Sequence, residues 1–157
     1  MRIKNAKVFV GKTFIPADIE FDSKILAVGK IEGEADLDAQ GCYVIPGMVD
    51  IHTHGAMGED FSDGKIEGMQ AMADYYAAHG VTSYLATTMT LKEEVLTPAM
   101  HVIRDFERTG GAKCAGIHLE GPFLGYAKRG AQAADNLHKP DPELFDRLNA
   151  ASGGKVK

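Results

Sequence analysis

The sequence predicts an α/β fold: a small N-terminal β-sandwich domain over residues 1–46, then, over residues 47–157, three βα units of a parallel sheet or barrel. Three observations predict it. Short strand-like runs separated by tight turns fill the first 45 residues without an intervening helix. After Pro46-Gly47, apolar runs alternate with segments of helical period. Those apolar runs begin near residues 49, 82 and 115, a repeat of about 33 residues, the size of a βα module.

In chain order, the expected strands of the first segment are Ile3–Val10, Thr13–Ile15, Asp18–Phe21, Lys24–Val28 and Tyr43–Ile45. Gly11-Lys12, Asp22-Ser23 and a polar stretch from Gly33 to Gln40 separate them. The segment holds too few large side chains for much of a core, so it is expected to pack on something else.

Beyond Pro46, Met48–Thr53 reads as a strand. Ser62 or Asp63 then caps a helix with Ile66, Met69, Ala73, Tyr76 and Ala77 on one face, which Gly80 ends. Val81–Thr87 is the next strand. Thr90-Leu91-Lys92-Glu93 has the pattern of a capping box, opening a segment with Leu96, Met100, Ile103 and Phe106 on one side. Pro98 is expected to kink that segment or start a second helix. Ala115–Leu119 is the third strand, and Asp141-Pro142 supplies an N-cap and N1 pair for a helix carrying Leu144, Phe145 and Leu148. Lys155-Val156-Lys157 reads as the start of a fourth strand. A closed eight-stranded barrel takes about 200 or more residues and only about 110 follow Pro46, so the sequence is expected to reach part-way through such a fold.

Composition narrows the function classes. With 45% hydrophobic and 25% charged residues the chain is of ordinary globular type. A formal charge of -5 without a run of like charges argues against nucleic acid and anionic membranes as partners. No apolar region follows the N-terminal basic residues and no stretch approaches a membrane span, so a cytoplasmic location is expected. Cys42 and Cys114 lack metal-binding or redox spacing and are expected to be reduced, partly buried thiols. There is no Gly-x-Ser-x-Gly elbow, Walker loop or Gly-x-Gly-x-x-Gly.

The chemistry gathers in two places. His52 and His54 lie two apart on an expected strand, so both imidazoles project from one face at its C-terminal end, the rim where barrel sites are built. A strand is a poor place for two such histidines unless they are ligated, and neutral imidazole suits divalent ions. The second place is Gly116-Ile117-His118-Leu119-Glu120-Gly121-Pro122-Phe123-Leu124, where a strand runs into a carboxylate at the same rim. His118 faces the same way as Glu120, either as a partner behind the ligands or as a packed, hydrogen-bonded core residue. The Gly55–Gly64 loop carries Glu59, Asp60 and Asp63, either solvated and capping or part of a substrate lid. His138, in a loop beside Lys139-Pro140, is assigned no role.

The run Val44-Ile45-Pro46-Gly47-Met48-Val49-Asp50-Ile51-His52-Thr53-His54-Gly55, with the Glu120 run and the following Lys128-Arg129-Gly130-Ala131, resembles the amidohydrolase superfamily. Within it, the His-Leu-Glu-Gly-Pro-Phe-Leu segment resembles the N-acetylglucosamine-6-phosphate deacetylase family, in which a glutamate is characteristic here, whereas many amidohydrolases with a His-x-His pair bridge their metals with a modified lysine. The resemblance covers essentially the whole chain. It implies that residues 47–157 are the first three βα units of a metal-dependent (β/α)8 TIM barrel, incomplete within this sequence.

The resemblance further implies Glu120 as a primary metal ligand, with His52 and His54 holding a second metal. One or two divalent ions are therefore implied, two being favoured by the His pair, and Zn, Fe, Mn or Co all suit the donors. Ala131, through its backbone amide, and Gln132 match positions that touch the sugar, although many relatives have His where this chain has Gln132. The implied reaction hydrolyses the acetamide of N-acetylglucosamine 6-phosphate, a phosphorylated amino-sugar substrate, to glucosamine 6-phosphate and acetate. Two further histidines, the phosphate-binding residues and the catalytic aspartate are expected beyond residue 157. No catalytic residue is therefore assigned here, and the fragment is expected to be inactive alone, with a homodimer implied for the full-length enzyme. Two other readings stay open: another amidohydrolase, of deaminase or dihydroorotase-like type, and a non-catalytic segment that folds only within an assembly.

Overall fold

Alternation along β1 (Arg2–Val10) turns Ala6 and Val8 to one face, where they pack with Ile19 and Ala39. In the computed structural model, which describes residues 1–157, this cluster is the core of a first unit, Met1–Pro46. β2 (Thr13–Phe21) returns antiparallel to β1, and β3 (Ile25–Gly29) pairs antiparallel with β2. β4 (Leu37–Asp38) and β5 (Tyr43–Val44) both add in parallel to the other edge of β1, at Ile3-Lys4 and at Lys7-Val8.

The expected β-sandwich is thereby corrected: these residues form one five-stranded sheet rather than two facing sheets, because β4 and β5 extend the edge of β1. Two expected strands fuse across Pro16. β3 pairs only from Asp18 onward, so the half of β2 containing Pro16 borders β1 alone and tolerates a residue without an N–H. β4 falls in the stretch read as polar loop, anchored by Asp36 N–H to the Arg2 carbonyl and Ala39 N–H to the Lys4 carbonyl. The small core matches expectation, since Ile25, Leu26 and Tyr43 remain 60–64% exposed.

The second unit, Gly47–Lys157, is built on three parallel strands. β6 (Met48–Thr53) is followed by a two-residue hairpin, β7 (Gly55–Ala56) with β8 (Glu59–Asp60), and by α1 (Ile66–Ala78). β9 (Val81–Thr88) leads to α2 (Glu93–Asp105), and β10 (Lys113–Leu119) leads through two short 3-10 turns to α3 (Pro142–Ala151). The sheet order is β6, β9, β10, and Val156, in the segment read as the start of a fourth strand, forms an isolated parallel bridge to Ile117.

The helices bury one continuous core against the sheet. Met69, Met72, Ala73 and Tyr76 of α1, Leu96, Met100 and Ile103 of α2, and Leu144 and Leu148 of α3 pack with Tyr84, Ala86 and Ile117 of the strands. Each large apolar side chain removed from water contributes about 1.5–3 kcal/mol, which makes this cluster the main support of the unit.

Several local expectations are corrected. The cap before α1 is Asp60, which accepts from Ser62 N–H at 2.7 Å and closes a 3-10 turn over Phe61–Asp63. Left-handed Gly64 then separates that turn from α1, so neither Ser62 nor Asp63 caps the helix. Ile66 and Ala77 lie outside the buried face. The capping box does not form, because α2 begins at Glu93 and Thr90 is engaged elsewhere. α2 runs through Pro98 as one helix. The Asp141 cap is as read, its carboxylate accepting from Leu144 N–H at 3.1 Å with Pro142 at N1.

Candidate metal centre

Because β6 and β10 flank β9 and all three run parallel, the C-terminal ends of the outer strands open on the same rim. His52 is near the end of β6 and His54 just past it, while Glu120 directly follows β10. The two-residue period carries both imidazoles to one side, facing the carboxylate. Glu120 Oε2 lies 2.8 Å from His54 Nε2 and 3.3 Å from His52 Nε2. One donor atom from each residue falls within 4.8 Å of the others, so this cluster can hold a metal ion.

The donor set fits a divalent ion. Two imidazole nitrogens and one carboxylate are the ligand types of catalytic zinc sites with three protein ligands. The side chains are partly open to solvent, 48% for His52, 32% for His54 and 24% for Glu120, which leaves a face for exchangeable ligands. One ring nitrogen, His54 Nδ1, is buried without a hydrogen-bond partner. The other nitrogen, His54 Nε2, faces Glu120 and is the atom offered to an ion.

The strand bearing the histidines is locked from behind. Thr53, between them, donates its N–H to Thr87 Oγ1 at 2.9 Å, and its hydroxyl meets the Tyr76 hydroxyl at 2.9 Å, tying β6 to β9 and α1. Burial raises the Tyr76 phenol above its ordinary range despite the bond from Thr53, so it stays protonated and able to donate. His52 N–H donates to Asp50 Oδ1 at 3.0 Å.

His118 stands outside the cluster. Its Nδ1 is 3.0 Å from the Ile51 carbonyl, which makes that nitrogen the proton carrier, and its ring meets the His52 ring edge-on at 4.5 Å. It thus supports a candidate ligand.

Ala131 is exposed and Gln132 is 5% exposed. Both line a cleft of about 470 Å³ with Met89, Thr90, Leu91 and Val95, on a wall that includes none of the three metal-site residues. Gln132 turns its Oε1 to the Thr90 N–H at 2.8 Å. The sequence reading missed Thr87, Thr90 and the Tyr76 hydroxyl as parts of this framework, since a buried polar group that bonds across the fold leaves no local pattern.

No family model matches the chain. Among curated proteins it is 35% identical over 119 residues to the N-acetylglucosamine-6-phosphate deacetylase of Bacillus subtilis, covering 73% of this chain and 30% of that protein. It is 33% identical over 141 residues to the enzyme of that name from Lysinibacillus sphaericus, covering 87% of this chain and 36% of the relative. Among solved structures, a variant N-acetyl-D-glucosamine-6-phosphate deacetylase of Mycobacterium smegmatis in complex with N-acetyl-D-glucosamine-6-phosphate superimposes on 99% of this chain and 42% of its own. The TM-score is 0.85 at 29% identity. The chain spans about a third of the length of the curated relatives it matches.

Proposed function

We propose, from the premise that this chain is homologous to the N-terminal portion of the N-acetylglucosamine-6-phosphate deacetylases, that it supplies part of a metal site for hydrolysing the acetamide of N-acetylglucosamine 6-phosphate. The products are glucosamine 6-phosphate and acetate. The observation that carries the reading is the convergence of Glu120 on His52 and His54 at the rim of a parallel sheet. In this reading the three βα units of residues 47–157 are the first of a (β/α)8 barrel, and the protein works in the cytoplasm.

His52, His54 and Glu120 would hold one or two divalent ions, Zn, Fe, Mn or Co, the imidazoles as nitrogen donors and the carboxylate as the compensating charge. A bound ion would supply Lewis acidity to the acetamide carbonyl and to an attacking water. His118 keeps its Nδ1 proton on the Ile51 carbonyl and steadies the His52 ring. Ala131, through its N–H, and Gln132, through its amide, meet the sugar from the cleft they line. In this reading the 157 residues contribute metal ligands, and the acid-base and phosphate-binding groups come from outside them.

The test is elemental analysis combined with an acetate-release assay on N-acetylglucosamine 6-phosphate, using the polypeptide that carries these residues in the cell. Bound divalent metal, with acetate release abolished by a chelator and restored by metal, is the expected result. A metal-replete polypeptide that releases no acetate contradicts the substrate, and one that never binds metal contradicts the site.

A further inference from the structure

Thr90, two residues past β9, is 1% exposed, yet each of its polar atoms has a partner from a different part of the fold. Its N–H donates to Gln132 Oε1 at 2.8 Å, its carbonyl accepts from Asn136 Nδ2 at 3.0 Å, and its hydroxyl donates to the Glu120 carbonyl at 3.0 Å. Only an oxygen can accept from the Thr90 N–H, so the orientation of the Gln132 amide is set by this bond.

The hydroxyl bond reaches the peptide unit that bears a candidate metal ligand. The β10 ladder with β9 ends at Leu119, paired with Thr88, so Glu120 stands just past the last strand contact. A glutamate carboxylate swings on three torsions from its own backbone, and its aim is only as good as the fixity of that backbone. Thr90 supplies the anchor where the ladder stops. The following turn is held from the far side, because His138 N–H donates to the Pro122 carbonyl at 2.9 Å. Between them Gly121 sits at a φ of +80°, and a Cβ there would collide with the Thr90 hydroxyl. The residue next to the ligand is therefore one that leaves room for this bond.

We propose that Thr90 is a positioning residue for Glu120, clamped by Gln132 and Asn136, and that this polar buckle sets how tightly the chain holds a divalent ion. The proposal rests on the metal-site reading above. It gives Gln132 a task beyond lining the cleft: its carbonyl oxygen is committed to Thr90, and its Nε2 lies 3.9 Å from Met89 Sδ.

Thr90→Val removes the hydroxyl at nearly constant volume, Thr90→Ser keeps it, and Asn136→Ala loosens the clamp without touching the hydroxyl. Cobalt(II) titrated into the metal-free 157-residue chain reports affinity and, through its ligand-field absorption, coordination geometry, while circular dichroism reports the fold. Thr90→Val is expected to bind cobalt(II) about 10- to 100-fold more weakly, with an altered spectrum. Thr90→Ser is expected to stay near the parent and Asn136→Ala to fall between. A folded Thr90→Val chain with parental affinity and spectrum overturns the proposal and leaves the metal site standing. If Thr90→Val does not fold, parental affinity in Asn136→Ala overturns it instead. A parent chain that takes up no cobalt(II) overturns both the proposal and the site.

Discussion

Glu120→Gln keeps the size of the side chain but removes the charge that both imidazoles face at 2.8 and 3.3 Å. Partners that merely orient a ligand are worth about 10- to 100-fold in metal affinity, so losing this carboxylate is expected to cost more than that in zinc titrations. Unchanged affinity would remove Glu120 from the site. The two cysteines offer a check on burial. Desolvation pushes the Cys114 thiol up, only partly offset by the backbone around Gly116 and Ala86, whereas Cys42 is exposed. A thiol reagent at neutral pH is therefore expected to modify Cys42 quickly and Cys114 only on unfolding, as peptide mapping would reveal. The expectation of two partly buried thiols holds for Cys114 alone. His52, His54 and Glu120 were legible because a strand period and a strand end are local patterns. Thr90 was not, because its partners lie 30–46 residues away in sequence and its Thr-x-x-Glu context imitates a helix cap.

Elements of the second unit were legible wherever an apolar period and a stop signal coincide. Gly80, at a φ of +83°, ends α1 as read, and Asp141-Pro142 opens α3 as read. Leu148 of α3 is 1% exposed within the core that joins the helices to the sheet, so Leu148→Ala is expected to destabilise by about 2–5 kcal/mol in urea unfolding. A loss below about 1 kcal/mol would contradict that packing. In the first sheet, Asp18 accepts from the backbone N–H groups of Ile31 and Asn5, which hold its carboxyl below the ordinary value. A lowered folded value gives stability that is present above the ordinary carboxylate range and lost as pH falls through the lowered one. Asp18→Asn is therefore expected to flatten the acid limb of unfolding, and an unaltered limb would contradict that role. The two-residue strand β4 escaped reading for a physical reason: it is held by pairing to β1 and carries no period of its own, whereas β5 falls within the expected Tyr43–Ile45 strand.

At the scale of the whole chain, the sequence organisation changes at Pro46-Gly47, and the structure divides into units at the same place. The βα repeat was legible throughout the second unit, because each strand must bury an apolar run and each helix a stripe at a fixed spacing. The single-sheet form of residues 1–46 was not legible, since strand patterns alone do not say which edges pair. The central claim is that strands distant in sequence bring two imidazoles and a carboxylate to one metal-binding point. Its most direct measurement is calorimetric titration of zinc into the metal-free 157-residue chain beside its His52→Ala, His54→Ala and Glu120→Ala variants. The account predicts saturable binding in the parent, with heat lost in all three variants while their circular dichroism stays unchanged. Equal binding by the parent and the three folded variants, or none by a folded parent, would contradict it.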